Sequence, residues 1–171
     1  MKKEGRLQVN YSHQQKSDHT NPWIFALELG FFAGLIWGGL RWIMYGMHFT
    51  KVIPGFLAEP YFKHDFLVKP AGQLIGYLAF IALSVIASLL YALIFRRLKG
   101  PWAGMIYGVL WWAAIFLAGS WMFLQQRPFR LPWNTLISEF CLFVIWGLFI
   151  GYTIALEYTD ERKREERLGI A

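Results

Sequence analysis

Phe31-Phe-Ala-Gly-Leu-Ile-Trp-Gly-Gly-Leu-Arg-Trp42 decides how this chain is read, and it lies inside an apolar run at 23–45. Glycine recurs every fourth residue at Gly30, Gly34 and Gly38. At ~100° per residue these positions form one stripe on a helix. A stripe without side chains lets a second helix approach closely, where dispersion and Cα–H···O contacts hold helices together in lipid. Arg41 falls on the same side, near the angle of Gly30. An arginine on a packing stripe inside a membrane requires a partner.

Outward from this stretch the same character continues. Of 171 residues, 56% are apolar, 19% aromatic and 16% charged, against about 25% charged in a soluble domain. Four apolar runs, at 23–45, 71–95, 102–124 and 135–158, reach the ~20 residues needed to cross a ~30 Å hydrocarbon core. The expectation is an all-α, polytopic membrane protein with four transmembrane helices in a small antiparallel bundle. Residues 1–22 read as a mobile cytoplasmic tail and residues 23–158 as the membrane domain. Residues 46–70 form an aromatic outer loop, and residues 159–171 a charged cytoplasmic tail.

The formal net charge of +6 suggests nucleic acid only until its distribution is examined. Lys2, Lys3, Arg6, Lys16, Arg96, Arg97, Lys99, Arg162, Lys163, Arg164 and Arg167 fall on one side of the four-span topology. Lys51, Lys63, Lys69, Arg127 and Arg130 fall on the other. Basic residues collect on the cytoplasmic side, so both termini are expected there, in a multi-pass protein of the cell membrane. The expected partners are the lipid bilayer and either a second copy or a larger membrane protein, not nucleic acid.

Small residues recur at four-residue spacing in each run: Gly72, Gly76, Ser84, Ser88 and Ala92 in the second, Gly104 and Gly108 in the third, Gly147 and Gly151 in the fourth. All four helices are therefore expected to pack through small-residue faces. Asn21-Pro22-Trp23 and Gly100-Pro101-Trp102 give two spans helix-start and interface-anchor signals. Ala33–Trp42 and Ala103–Trp112 echo each other, but the Pro-Trp starts imply a different offset, which weighs against a duplicated hairpin.

Ionisable residues within the spans are the default place to look for function. Counting ~1.5 Å per residue, Arg41 lies one turn before the outer end of the first helix. Glu139 lies one turn inside the outer end of the fourth. An Arg41–Glu139 pair near the outer leaflet follows. Glu28 lies near the inner side, within reach of Arg96 or Arg97 or of water. Such pairs read first as fixers of helix register and second as a polar pocket. Trp37, Trp111, Trp112 and Trp146 lie deep in the spans, where rings packed against glycine faces are a simpler reading than a flat bound ligand.

Catalytic signatures are missing from the chain. There is no H-E-x-x-H, no G-x-S-x-G and no Gly-rich phosphate loop. None of the four histidines falls in a span, and His48, His64 and Asp65 match no metal spacing. Cys141 is the single cysteine, so no disulfide framework exists. No cofactor, metal site or catalytic residue is expected.

Phe31-Phe-Ala-Gly-Leu-Ile-Trp-Gly38, Gly100-Pro-Trp-Ala-Gly104, Tyr107-Gly-Val-Leu-Trp-Trp112 and Cys141-Leu-Phe-Val-Ile-Trp-Gly-Leu-Phe-Ile-Gly-Tyr152 together resemble the YqhR-type conserved membrane proteins of Bacillus-like endospore-forming bacteria. The likeness spans roughly residues 22–161. It implies a small cell-membrane protein and supplies no catalytic residues. Two function classes remain: a non-catalytic accessory or assembly protein, and an oligomeric carrier or binder of a small molecule, ion or lipid at Arg41, Glu139 and the buried tryptophans.

Overall fold

The computed structural model of the chain describes residues 21–95, 101–118 and 131–168, the last segment with side chains to 157. Among these the chain is helical. Helix α1 runs Pro22–Gly46. A 3-10 turn at Pro54–Ala58 and the single-turn helix α2, His64–Leu67, lead into α3, Pro70–Ile94. Helix α4 runs Pro101–Ala113 and continues as a π-helical turn, Ala114–Ala118. Helix α5 runs Trp133–Leu168.

Three helical segments are long and apolar enough to cross a membrane: Pro22–Gly46, Pro70–Ile94 and Trp133–Glu157. The fourth apolar segment is shorter, Pro101–Leu117. Of the expected span at 102–124, the described part ends at residue 118 and is helical throughout. The α-helical pitch ends at Ala113 and gives way to the wider π turn, which swings Phe116 into the interior against Phe56 and Phe143. The end of that expected span, the N-terminal tail through residue 20, and Arg96 and Arg97 lie outside the described residues.

Local chemistry explains the helix ends. Asn21 is extended and its Oδ1 accepts from the Trp23 N–H at 3.2 Å, while Pro22 occupies the first turn, where no N–H is needed. At the other end of α1, the Phe49 N–H donates to Met44 O at 2.9 Å and the His48 N–H to Tyr45 O at 3.0 Å. This is a Schellman closure, and its left-handed position is filled by His48 with φ 61°. The closure turns the chain sharply back toward the bundle.

The contacts give the helix directions. Gly30 faces Ser84, Val85 and Ser88, Gly34 faces Ile81, and Gly38 faces Tyr77 and Phe80, so α1 and α3 run antiparallel. A methyl added at Gly34 would stand 2.6 Å from Ile81 Cα. Gly104 faces Gly147 and Gly151, and Gly108 faces Phe143, so α4 and α5 form a second antiparallel pair. These seven glycines meet neighbours in the same chain.

The two pairs join through aromatic rings. Trp146, fully buried on α5, lies against Phe80 of α3 and Trp111 of α4, and its Nε1 donates to Ser84 Oγ at 3.1 Å. Tyr107 on α4 donates to the Ala87 carbonyl of α3 at 2.7 Å and stands edge-on to Tyr91 at 5.0 Å. Trp37 on α1 meets Phe149 on α5 at 4.8 Å. The tryptophans thus pack against other rings, with α5 bordering the other three long helices. Most of the stripe glycines are met by backbone of the facing helix, and Gly38 by the rings of Tyr77 and Phe80.

Gly72 and Gly76 of α3 do not serve a helix pair. The backbone of Phe66 and Leu67 fills the notch at Gly72, and the backbone of Pro54 and Gly55 fills the one at Gly76. The segment between α1 and α3 is therefore folded into the bundle, with Val52, Ile53, Phe56, Ala58 and Leu67 all buried. Gly76 lies six residues into α3, so the 3-10 turn sits ~9 Å below the helix start.

Three substitutions test these contacts. Gly147→Val places a branched side chain on the Gly108 backbone and should abolish a monodisperse folded protein in fluorescence-detected gel filtration. Gly46→Ala, which meets nothing within 4 Å, should leave the elution profile and its thermal midpoint unchanged. His48→Gly should raise the thermal midpoint, because glycine adopts the left-handed conformation without the ~1–2 kcal/mol cost borne by other residues, and His48 is exposed.

Candidate functional site

Among the described residues, the charged ones buried as whole residues are Arg41 and Glu139; the Glu59 side chain, 4% exposed, is sheltered separately beside His64. Arg41 Nη2 approaches Glu139 Oε2 to 3.0 Å, with the side chains 2% and 1% exposed. The helix stripe places Arg41 on the inner face of α1, and the opposite chain direction brings Glu139 of α5 to the same level. The approach is that of an ion pair, but Nη2 is not aligned for a hydrogen bond to the carboxylate. The attraction is therefore mainly Coulombic, and it is strong where the surroundings are apolar.

Three further groups complete the cluster, all tied to the segment between α1 and α3. Thr50 Oγ1 donates to Glu139 Oε1 at 2.7 Å. The Lys51 N–H donates to Thr135 Oγ1, one turn before Glu139 on α5, at 3.3 Å. The ring of Phe56 lies under the guanidinium, with Arg41 Cζ 3.9 Å from its centroid, a cation–π distance. Phe56 stacks on Phe116, and Phe116 on Trp112, with centroids 5.9 Å apart in both pairs. A column of rings thus runs from the guanidinium to α4.

The cluster is not fully satisfied. Arg41 Nε and Nη1 are buried without a hydrogen-bond acceptor, as are Trp37 Nε1 and Trp112 Nε1. These are donors only. Chemically the cluster is a net-neutral ion pair with unaccepted N–H groups on Arg41 and a Glu139 Oε2 that receives no hydrogen bond, enclosed by Thr50, Thr135 and aromatic faces. Among the described residues, no three His, Cys, Asp or Glu side chains come together to hold a metal ion.

The other residues singled out in the sequence lie elsewhere. Glu28 is exposed on α1, and the Arg96 and Arg97 expected beside it lie outside the described residues. Gly30, Gly34, Gly38, Gly104, Gly108, Gly147 and Gly151 are helix-packing positions remote from any polar group except Ser84, Ser88 and the Tyr91 hydroxyl. His64 meets Glu59 at 3.3 Å. Thr50 and Thr135 were missed by sequence reasoning, whereas Phe56 belongs to the 46–70 loop, whose aromatic content already marks it as more than a freely solvated connection.

A helical protein with three membrane-length apolar helices and a paired charge in its interior is, by class, an integral membrane protein. The chain belongs to the family of the conserved membrane protein YqhR, whose model matches residues 7–168. It is also 30% identical over 132 residues to the uncharacterized protein YqhR of Bacillus subtilis (strain 168), covering 77% of this chain and 74% of the relative. No solved structure matches.

The pair generates a double-mutant prediction. Arg41→Met alone strands a buried carboxylate and should cost roughly 3–5 kcal/mol, and Glu139→Gln should be costly in the same direction. The double variant Arg41→Met/Glu139→Gln should recover a large part of the loss, measured by thermal or denaturant unfolding in detergent. Strictly additive losses would show that the two charges do not support each other.

Proposed function

We propose that this YqhR-family protein crosses the cell membrane four times with both termini in the cytoplasm. On this reading it is a non-catalytic accessory or assembly protein that binds a second copy or a larger membrane protein. The topology is supported by the eleven-to-five division of lysine and arginine between the two sides and by the positive-inside bias. It adds the apolar segment beginning at Pro101 to the three membrane-length helices.

The observation that carries the accessory reading is the filled interior. Phe80, Tyr91, Phe143, Trp146, Ile150 and Ile154 are essentially inaccessible, and the buried charges neutralise each other. A further support is α5, which continues beyond Glu157 to Leu168. These eleven residues extend the helix by roughly 16 Å. Every residue from Asp160 to Arg167 is charged, four acidic and four basic.

The unaccepted N–H groups of Arg41, Trp37 and Trp112 favour a second reading, an oligomeric carrier or binder of a small molecule, ion or lipid. One purification separates the two. The protein is extracted in a gentle detergent and analysed by native mass spectrometry, with alkaline-phosphatase and fluorescent-protein fusions fixing sidedness. The accessory reading expects a stoichiometric protein partner or self-assembly without a bound small molecule. A stoichiometric small molecule lost on Arg41→Met substitution would replace it with the carrier reading. Active phosphatase fused after Leu168 would overturn the topology.

A further inference from the structure

The segment at residues 50–58 is attached to the bundle in an unusual way. It joins no sheet and belongs to no long helix. It is held by Thr50 on Glu139 at 2.7 Å, by the Lys51 N–H on Thr135 at 3.3 Å, and by Phe56 against Arg41 at 3.9 Å. The Pro54–Gly55 backbone rests in the notch at Gly76. Three of these four attachments act on the ion pair or its immediate neighbour on α5. The segment also has a defined base, because the Schellman closure at His48 ends α1 two residues before Thr50.

Closure is opposed from within. With the segment in place, Arg41 Nε and Nη1 are sealed in without acceptors, and a buried donor left without an acceptor is a destabilising feature. Admitting water would satisfy those N–H groups, at the expense of the Thr50, Lys51 and Phe56 contacts. Two arrangements therefore compete at the same place: one with the segment seated and those N–H groups facing no protein acceptor, the other with the segment lifted and the groups open to solvent.

We propose that residues 50–58 form a movable lid that closes the Arg41–Glu139 pair off from the outer aqueous phase. Lifted, the lid opens a site that presents the Arg41 N–H donors beside the Glu139 carboxylate, which suits water or a small molecule carrying both an acceptor and a donor. The lid rests on the contacts above. Its sidedness rests on the topology proposed in the preceding subsection.

The test uses the full chain with Cys141→Ser and one new cysteine, reacted with a membrane-impermeant maleimide in detergent and on intact cells. Val52→Cys reports on the lid. Leu67→Cys, equally buried but seated in the Gly72 notch away from the ion pair, is the control. Thr135→Val removes one latch and Glu139→Gln weakens another. Each should accelerate labelling at position 52 about tenfold or more, the scale of a lost hydrogen bond to a polar or charged group, and leave position 67 unchanged. No acceleration in detergent, or equal acceleration at both positions, overturns the lid, the latter by showing general loosening. Acceleration in detergent with no labelling of intact cells supports the lid and overturns only the sidedness. Thr135→Val keeps the test decisive where Glu139→Gln fails to fold.

Discussion

A guanidinium surrounded by hydrocarbon must be met by an opposite charge, and the end of this bundle that holds Arg41 is built around that requirement. Arg41 sits on the inner face of α1, and Glu139 of α5 lies 3.0 Å from it. Because the two are far apart in sequence, their pairing fixes the first and last helices at one level. A shift of α1 by one turn would move the charge ~5.4 Å along the axis and strand both groups. The pair is therefore best regarded as a register constraint. Buried ion pairs are weak evidence of added stability, since desolvation offsets much of the attraction.

Close helix approach is the second constraint, and it is met by backbone. In lipid no hydrophobic force drives helix against helix, so short separations and good packing must suffice. Gly30 and Gly34 admit the α3 backbone, and Gly104, Gly108, Gly147 and Gly151 interlock α4 with α5. Between these two thin pairs a wider gap remains, and large rings fill it: Phe80, Trp111, Phe143 and Trp146. Small residues within pairs and large residues between them form one consistent division of space.

Membership of the YqhR family establishes the class of the protein, and the geometry narrows what its site can do. The ion pair is net neutral, its unpartnered atoms are the Arg41 N–H groups and Glu139 Oε2, and its cover is part of the same chain. The seven glycines of the helix pairs meet neighbours inside the molecule.

Much was legible in the sequence by itself. Apolar runs of membrane length identify the helices, because lipid demands that backbone polar groups be satisfied within the segment. Asn21-Pro22 marks the start of α1, since local capping chemistry needs only neighbouring residues. Helical angle and rise are enough to put Arg41 and Glu139 at one level. The tertiary structure alone decided which surface each stripe would meet. Gly72 and Gly76 carry the same signature as Gly30 and Gly34, yet they receive folded-in loop backbone instead of a helix. Spacing reports that a face is small, and only the packed chain determines what fills it. The π turn at Ala114–Ala118, which carries Phe116 onto Phe56, depends on the same long-range packing. Thr50 and Phe56 reach the ion pair because the Schellman turn at His48 and the notch at Gly76 together direct the segment inward.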